Sequence, residues 1–136
     1  MCTLKKRGNI FILTLTGEGE HRLNPTLLDS IQSSLHRVPQ EATASSALVT
    51  TVHDKFFSNA YDIAWAQSSD EVKERMILMD SLLHSPTIAA VIGHASAASY
   101  TLAFAFTHVL LCSDRGFLYM SELDINLVVP TWFMAL

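Results

Sequence analysis

The sequence predicts an α/β fold in which buried strands alternate with helices along the chain. Three short apolar runs are typical of buried strands: Ala47 to Val52, Thr87 to Ile92 and His108 to Cys112. Helical stretches lie between them, and such alternation favours parallel strands joined by crossover helices. The chain has 136 residues, of which 49% are hydrophobic, so we expect one domain spanning 1–136 with its own core.

The N-terminal part of the chain is predicted to form a hairpin and then a helix. Two strands, Cys2 to Lys6 and Ile10 to Leu15, flank the turn-forming triplet Arg7-Gly8-Asn9. In Asn24-Pro25, the asparagine is a good helix N-cap and the proline fits the first helical position. The apolar face of this helix consists of Leu27, Leu28, Ile31, Leu35 and Val38. We expect Pro39 to end the helix.

The middle and the end of the chain contain less regular signals. Residues 53–62 are predicted to form a loop, and Ser68 with Glu71 a capping box for a second helix. The apolar face of that helix consists of Val72, Met76, Met79 and Leu83. A buried helix is expected from Ala97 to Phe106, and a short strand from Phe117 to Met120.

Charge and composition exclude several classes of partner. The formal net charge is -4, whereas phosphate binding by nucleic-acid-binding proteins requires a basic face. The stretch from His84 to Ser113 has no charged residue, but Pro86 and Gly93 interrupt it, so we predict no membrane span. Cys2 and Cys112 follow no metal or redox spacing, and we predict neither a metal nor a cofactor.

Two loops that follow buried strands carry candidate chemistry. Ser58 to Tyr61 follows the first apolar strand, and His94 to Ala98 follows the second. A chain that enters a helix exposes backbone N–H groups, and two such loops can aim donors at one oxygen that gains negative charge. Many α/β proteins have such loops, so this pattern alone does not identify a function.

Three segments together resemble the crotonase superfamily, the enoyl-CoA hydratase/isomerase family. They are HDKFFSNAYDIAWA (His53 to Ala66), PTIAAVIGHASAASYTLA (Pro86 to Ala103) and DRGFLYMSELDINLVVP (Asp114 to Pro130), in the family's order. Within the superfamily, the sequence most resembles plant peroxisomal enoyl-CoA delta isomerases. The resemblance implies a crotonase-like spiral of ββα units with buried parallel strands, here lacking the family's C-terminal helices.

The resemblance implies a site built from two backbone donors and one carboxylate. The N–H groups of Tyr61 and Ala98 match the family's oxyanion hole, and Glu122 matches its acid/base. The implied reaction moves the double bond of a 3-enoyl-CoA to the 2-position in fatty-acid β-oxidation. Thr101 stands where hydratases have a second Glu, which favours isomerase over hydratase. Without the resemblance, Glu122 would be interpreted as a solvated loop acid.

The first loop is also expected to contact the acyl-CoA substrate, of which coenzyme A is a part. The implied substrate-binding residues are Phe56, Ser58, Asn59, Ala60, Asp62 and Trp65. Asp62 is expected to have a structural role as well, capping the helix that follows. The aromatic rings of Phe56, Tyr61 and Trp65 could line an acyl pocket or belong to the core.

Several departures from the family pattern lead to an alternative hypothesis. Ala60, Ser99 and Asn126 replace typical glycines, and a Cβ is unfavourable where φ is positive. The alternative is a catalytically impaired, shortened relative that acts as an acyl-CoA-binding or oligomer-assembly module. Family members form trimers, and an exposed apolar tail favours self-association or aggregation. That tail consists of Val128, Val129, Trp132, Phe133 and Met134.

The resemblance implies a peroxisomal location. The last three residues, Met134-Ala135-Leu136, are not a tripeptide of the Ser-Lys-Leu type that directs proteins to peroxisomes. The cytoplasm is therefore the alternative expectation.

Overall fold

The computed structural model describes residues 1–17, 19–72, 74–75, 77, 86–124, 126 and 128–129. Two sets of predicted positions lie outside these residues. They are Met76, Met79 and Leu83 of the second predicted helix, and Trp132, Phe133 and Met134 of the apolar tail.

The larger sheet has five strands in the described part of the chain. Its strands are β1 (Cys2–Arg7), β2 (Ile10–Leu15), β3 (Ala47–Val52), β5 (Thr87–Val91) and β7 (His108–Leu111). They lie side by side in the order β1-β2-β3-β5-β7. The β1–β2 hairpin is antiparallel and the other pairs are parallel. The predicted α/β class and its parallel strands are therefore confirmed.

A second, smaller sheet is formed by strands that the sequence did not indicate clearly. It contains β4 (Phe56–Asn59), β6 (His94–Ser96) and β8 (Leu118–Tyr119), all parallel. The prediction of an irregular loop over residues 53–62 was wrong for β4. Strands this short and polar show no clear period of two, and they are stabilised by pairing with chain segments about 38 residues away, as between Phe56 and His94.

The corners between the two sheets stack closely on one another. The His94 N–H donates to the Lys55 carbonyl oxygen at 2.9 Å. A Cβ added at Gly93 would clash with that same carbonyl, and a Cβ added at Gly116 would lie 2.6 Å from the Gly93 carbonyl oxygen. From β3 onward, each pass of the chain adds one strand to each sheet, which confirms the expected spiral of ββα units.

The first helix, α1, runs from Pro25 to Glu41. Its start is as expected, because the Asn24 Oδ1 accepts a hydrogen bond from the Leu27 N–H at 2.9 Å. The predicted apolar face is buried throughout. The expectation that Pro39 ends the helix was wrong. Proline removes one donor only, and the Ala42 N–H still reaches the Val38 carbonyl at 2.9 Å across it.

Two short helices follow strands of the smaller sheet: α2 (Ile63–Ser68) after β4, and α3 (Ala98–Phe104) after β6. The predicted capping role of Ser68 was wrong, since Ser68 is the last residue of α2 and its Oγ donates to the Trp65 carbonyl at 3.2 Å. Asp62 caps α2, as expected, accepting from the Trp65 N–H at 3.1 Å. The second predicted helix is a separate one: Val72, Arg75 and Ile77 are helical, and at its start the Glu71 N–H donates to the Ser69 Oγ at 3.2 Å.

The core lies between α1, α3 and the sheets, and it includes Phe11, Leu28, Phe57 and Val91. The prediction that β7 is buried was wrong. Leu110 and Leu111 are 59% and 52% exposed, because β7 is the edge strand of the described sheet, and Val109 alone among its residues packs against the core. Among the described residues, no helix has the length and apolar character needed to cross a membrane.

Candidate active site

The first predicted loop is turned sharply at Ala60, whose φ is +61°. This left-handed conformation lets the two polar groups of Ala60 bond in different directions. The Ala60 N–H donates to the Ser96 carbonyl oxygen at 3.2 Å and to the Ser99 Oγ at 3.1 Å. The Ala60 carbonyl accepts from the Leu23 N–H at 2.8 Å. The loop is therefore held on both sides.

These bonds determine where the Tyr61 N–H points. A trans peptide holds its carbonyl and its N–H on opposite sides, and no cis peptide occurs among the described residues. The Ala60 carbonyl points at Leu23, so the Tyr61 N–H points away from Leu23. Tyr61 itself borders the cleft described below.

The second predicted loop also has a residue with positive φ, Ala97, whose φ is +53°. The Ala97 carbonyl points into α3 and accepts from the Tyr100 N–H at 2.8 Å. The Ala98 N–H on the same peptide therefore points out of the start of α3, where N–H groups have no partner within the helix. Both predicted donor loops thus use an alanine with positive φ to direct the following N–H.

The segment that carries Glu122 is attached to the second loop. The Ala97 N–H donates to the Tyr119 carbonyl at 3.0 Å, and the Ser96 and Ser121 hydroxyls are 3.1 Å apart. Glu122 lies in a short 3₁₀ helix, Ser121–Leu123. Three segments that are distant in sequence are therefore linked by direct hydrogen bonds, through the Ala60 N–H on one side of the second loop and Tyr119 on the other.

Glu122 and Tyr61 are neighbours in this assembly. The Glu122 Oε2 is buried and makes no hydrogen bond with any described residue. Burial raises the pKa of the Tyr61 phenol, and the negative charge of Glu122 raises it further. The phenol therefore stays protonated at physiological pH. A buried carboxylate oxygen without a partner among the described residues is a candidate functional group, because burial without a partner is costly.

A cleft of about 340 Å³ is lined by residues from all three segments, and Ala98 lies next to its lining residue Ala97. Among its lining residues are the predicted Asn59, Ala60, Tyr61 and Glu122. It is also lined by residues that sequence reasoning missed: Arg22, Ile63, Ala66, Gln67, Ala97 and Ser121. Ile63, Ala66 and Gln67 lie in α2, directly after the first loop. Their closeness in sequence to that loop could have indicated that they line the cleft. Arg22 has no such signal, since tertiary hydrogen bonds between the neighbouring residues 20–23 and the first loop bring it near.

Other predicted substrate-binding residues lie away from the cleft lining. Ser58 is fully buried, and its Oγ donates to the His21 carbonyl at 2.6 Å. Phe56 packs against the His94 ring at 5.2 Å, and Trp65 packs edge-on against the Tyr61 ring at 6.0 Å. Asp62 is used as the α2 cap. Their predicted contact with substrate stays a prediction.

The glycine replacements have different consequences in the structure. Ala60 and Asn126 both adopt the positive φ expected of a glycine position, +61° and +52°. Ser99 does not, because it lies within α3 and is fully buried. No group of three or more metal-ligating side chains is present within the described ranges.

The chain is similar to three curated isomerases of Arabidopsis thaliana. It is 53% identical to the peroxisomal enoyl-CoA delta isomerase 1 over 99% of this chain and 60% of that protein. It is 47% identical to enoyl-CoA delta isomerase 3 and 44% identical to the peroxisomal enoyl-CoA delta isomerase 2. This chain is covered completely in both, and 62% of each relative is matched. The chain thus spans about three fifths of the curated relatives it matches.

Solved structures show the same fold. An enoyl-CoA hydratase from Thermoplasma volcanium matches with a TM-score of 0.81 at 20% identity, over 93% of this chain and 53% of that one. The apo enoyl-CoA isomerase of Mycobacterium tuberculosis matches with a TM-score of 0.81 at 16% identity, over 95% of this chain and 58% of that one. No family model matches the chain. The chain therefore resembles curated plant enoyl-CoA delta isomerases over nearly its whole length, and its fold is that of solved enoyl-CoA hydratases and isomerases.

Proposed function

We propose that the chain is an enoyl-CoA isomerase that converts a 3-enoyl-CoA to the 2-enoyl-CoA, acting in fatty-acid β-oxidation in the peroxisome. The observation that carries the proposal is the hydrogen-bonded assembly of the two donor loops with the Glu122 segment around one cleft. The names of the three curated relatives support the reaction, and two of them support the location.

In the proposed reaction, the thioester oxygen lies between the N–H groups of Tyr61 and Ala98. Removal of a proton from C2 turns this oxygen into an enolate oxygen, and the two fixed donors stabilise its negative charge. Removing one such donor from an enzyme typically costs about 3 to 4 kcal/mol of barrier. Backbone donors are suited to this role because their direction is set by the fold, here by the turns at Ala60 and Ala97.

Glu122 is proposed to move the proton. Its carboxylate takes the C2 proton, the electrons shift toward the thioester, and the same carboxyl group returns the proton at C4. The double bond moves from C3–C4 to C2–C3 and no atom is gained or lost. A single carboxylate suffices, whereas a hydratase positions water with two. Thr101, at the position of the second carboxylate, is buried in α3 and does not line the cleft.

The apolar part of the cleft is proposed to hold the acyl chain. Ile63 and Ala66 on α2 face the cleft, and the Tyr61 ring is held in place by Trp65. Transfer of an alkyl chain from water to such a wall stabilises binding by about 0.8 kcal/mol per CH₂ group. The partner is therefore an acyl-CoA thioester, with no further cofactor.

The test is an isomerase assay on the 136-residue chain with 3-hexenoyl-CoA, followed through the ultraviolet absorbance of the conjugated product. We expect turnover by the wild type, and a fall of about 10²- to 10⁴-fold in Glu122→Gln, which is the usual contribution of a general base. Glu41→Gln is the matched control, since Glu41 is exposed at the end of α1. Activity that survives in Glu122→Gln would refute the assigned base.

A second candidate function is an acyl-CoA-binding or assembly module without turnover. The exposed apolar edge strand β7 favours it, because an uncovered edge is a template for association with another chain. Calorimetric titration with hexanoyl-CoA distinguishes the two. Binding without turnover supports the module, and the absence of both would overturn the isomerase proposal.

A further inference from the structure

We propose that Ser99 is a positioning residue whose hydroxyl holds the two oxyanion donors at a fixed separation. The inference rests on the isomerase function proposed above, and it adds a residue that the resemblance does not supply. Ser99 stands at a position where the family usually has glycine, so its hydroxyl is a feature of this chain rather than of the superfamily pattern.

The contact that carries the proposal joins the immediate neighbours of both donors. Ser99 follows Ala98 in α3, and Ala60 precedes Tyr61 in the first loop. The Ser99 Oγ accepts a hydrogen bond from the Ala60 N–H at 3.1 Å across a sequence separation of 39 residues. One hydrogen bond therefore spans the gap between the two loops that present the donors.

The strained backbone at Ala60 explains why the loop needs this contact. Residues other than glycine avoid the left-handed region, so the loop would relax if its neighbours allowed it. The Ala60 carbonyl is held by Leu23, and the Ala60 N–H is shared between the Ser96 carbonyl at 3.2 Å and the Ser99 hydroxyl. Loss of the hydroxyl leaves one acceptor on that side, and the peptide that carries the Tyr61 N–H gains freedom to rotate.

Burial makes the hydroxyl hard to replace. Ser99 is 0% exposed, so solvent does not reach its hydroxyl in the folded chain. Other buried serines bond elsewhere: the Ser34 Oγ donates within α1 to the Ser30 carbonyl at 2.9 Å, and Ser34 does not line the cleft. Ser34 is therefore a suitable reference for the general cost of removing a buried serine hydroxyl.

The position of the contact predicts which kinetic constant responds. The negative charge on the thioester oxygen develops in the transition state, so misdirected donors lower kcat more than they weaken ground-state binding. Small misplacements of catalytic groups reduce rates by about ten- to one-hundred-fold. We expect Ser99→Ala to lower kcat by about tenfold or more and to change KM by less than about twofold.

The experiment compares wild type, Ser99→Ala and Ser34→Ala in the 3-hexenoyl-CoA assay, with hydrogen exchange of the Ala60 amide measured in the same three proteins. Ser34→Ala should keep the wild-type kcat. Exchange at Ala60 should become about fivefold faster in Ser99→Ala alone, as expected for the loss of one hydrogen bond.

The outcomes separate this inference from the proposed function. Wild-type turnover with equal kcat in both serine variants would overturn the role of Ser99 and leave the isomerase proposal standing. A wild type without turnover would overturn the isomerase proposal, and the catalytic part of this inference with it. In that case, unchanged Ala60 exchange in Ser99→Ala would also show that the hydroxyl does not hold the loop.

Discussion

Replacing Ala60 with glycine should stabilise the chain, although glycine usually destabilises. Ala60 has a φ of +61°, where the Cβ of an L-residue costs roughly 1 to 2 kcal/mol. Glycine removes that strain. It also increases the conformational entropy of the unfolded chain, which lowers the free energy of unfolding by about 0.5 to 1 kcal/mol. The difference is an increase of roughly 0 to 1.5 kcal/mol in the free energy of unfolding, with a midpoint of about 0.7 kcal/mol.

The assay is urea denaturation followed by circular dichroism, with Ala64→Gly as the matched control. Ala64 is exposed in α2, where the φ is helical and glycine should cost about 0.5 to 1 kcal/mol. The same substitution should therefore have opposite signs at the two positions. Equal destabilisation by Ala60→Gly and Ala64→Gly would refute the claim that the first loop is strained at Ala60.

Three further predictions follow from the described contacts. The folded-state pKa of the Tyr61 phenol is raised by burial, so the folded chain holds this proton more tightly and stability should fall as pH rises above about 10. Tyr61→Phe should lessen that fall, and an unchanged pH dependence of the urea midpoint would contradict the burial. Asp62→Ala should lower the free energy of unfolding by about 1 kcal/mol, because it removes the α2 cap. Asp62→Asn should keep most of that stability, since asparagine also caps helices. Equal losses for the two variants in thermal melts would count against capping. Leu110→Ala on the open β7 edge should cost less than about 0.5 kcal/mol, whereas Leu28→Ala in the core should cost about 2 to 5; equal costs in urea denaturation would mean that the edge is covered.

The elements with a strong apolar pattern were predictable. The strands β2 and β3 lie within the predicted bounds, and the buried face of α1 contains the predicted residues, because periodic burial leaves a periodic sequence. The strands of the smaller sheet were not predictable in the same way. β4 and β6 contain polar residues and are four and three residues long, so their pairing, rather than their composition, makes them strands.

For β7 the sequence predicted too much: it predicted a buried strand, and the structure has an exposed one. His108 to Leu111 has the apolar composition of an inner strand, and the sequence therefore predicted burial. Composition reports what a strand can bury, but whether a neighbouring element covers it depends on the arrangement of the whole sheet. At the edge of the described sheet, Leu110 and Leu111 have no such neighbour.

The sequence by itself determined the resemblance to enoyl-CoA isomerases, the candidate Glu122 and the two loops whose N–H groups are the candidate donors. These features can be recognised from short motifs, because local geometry and chemistry require particular residues at particular positions. Only the tertiary structure decided that the Ala60 N–H reaches Ser96 and Ser99, and that Tyr119 and Ser121 attach the Glu122 segment to the second loop. Such contacts join residues that are distant along the chain, and their distances depend on the packing of both sheets at once, which no local pattern of residues encodes.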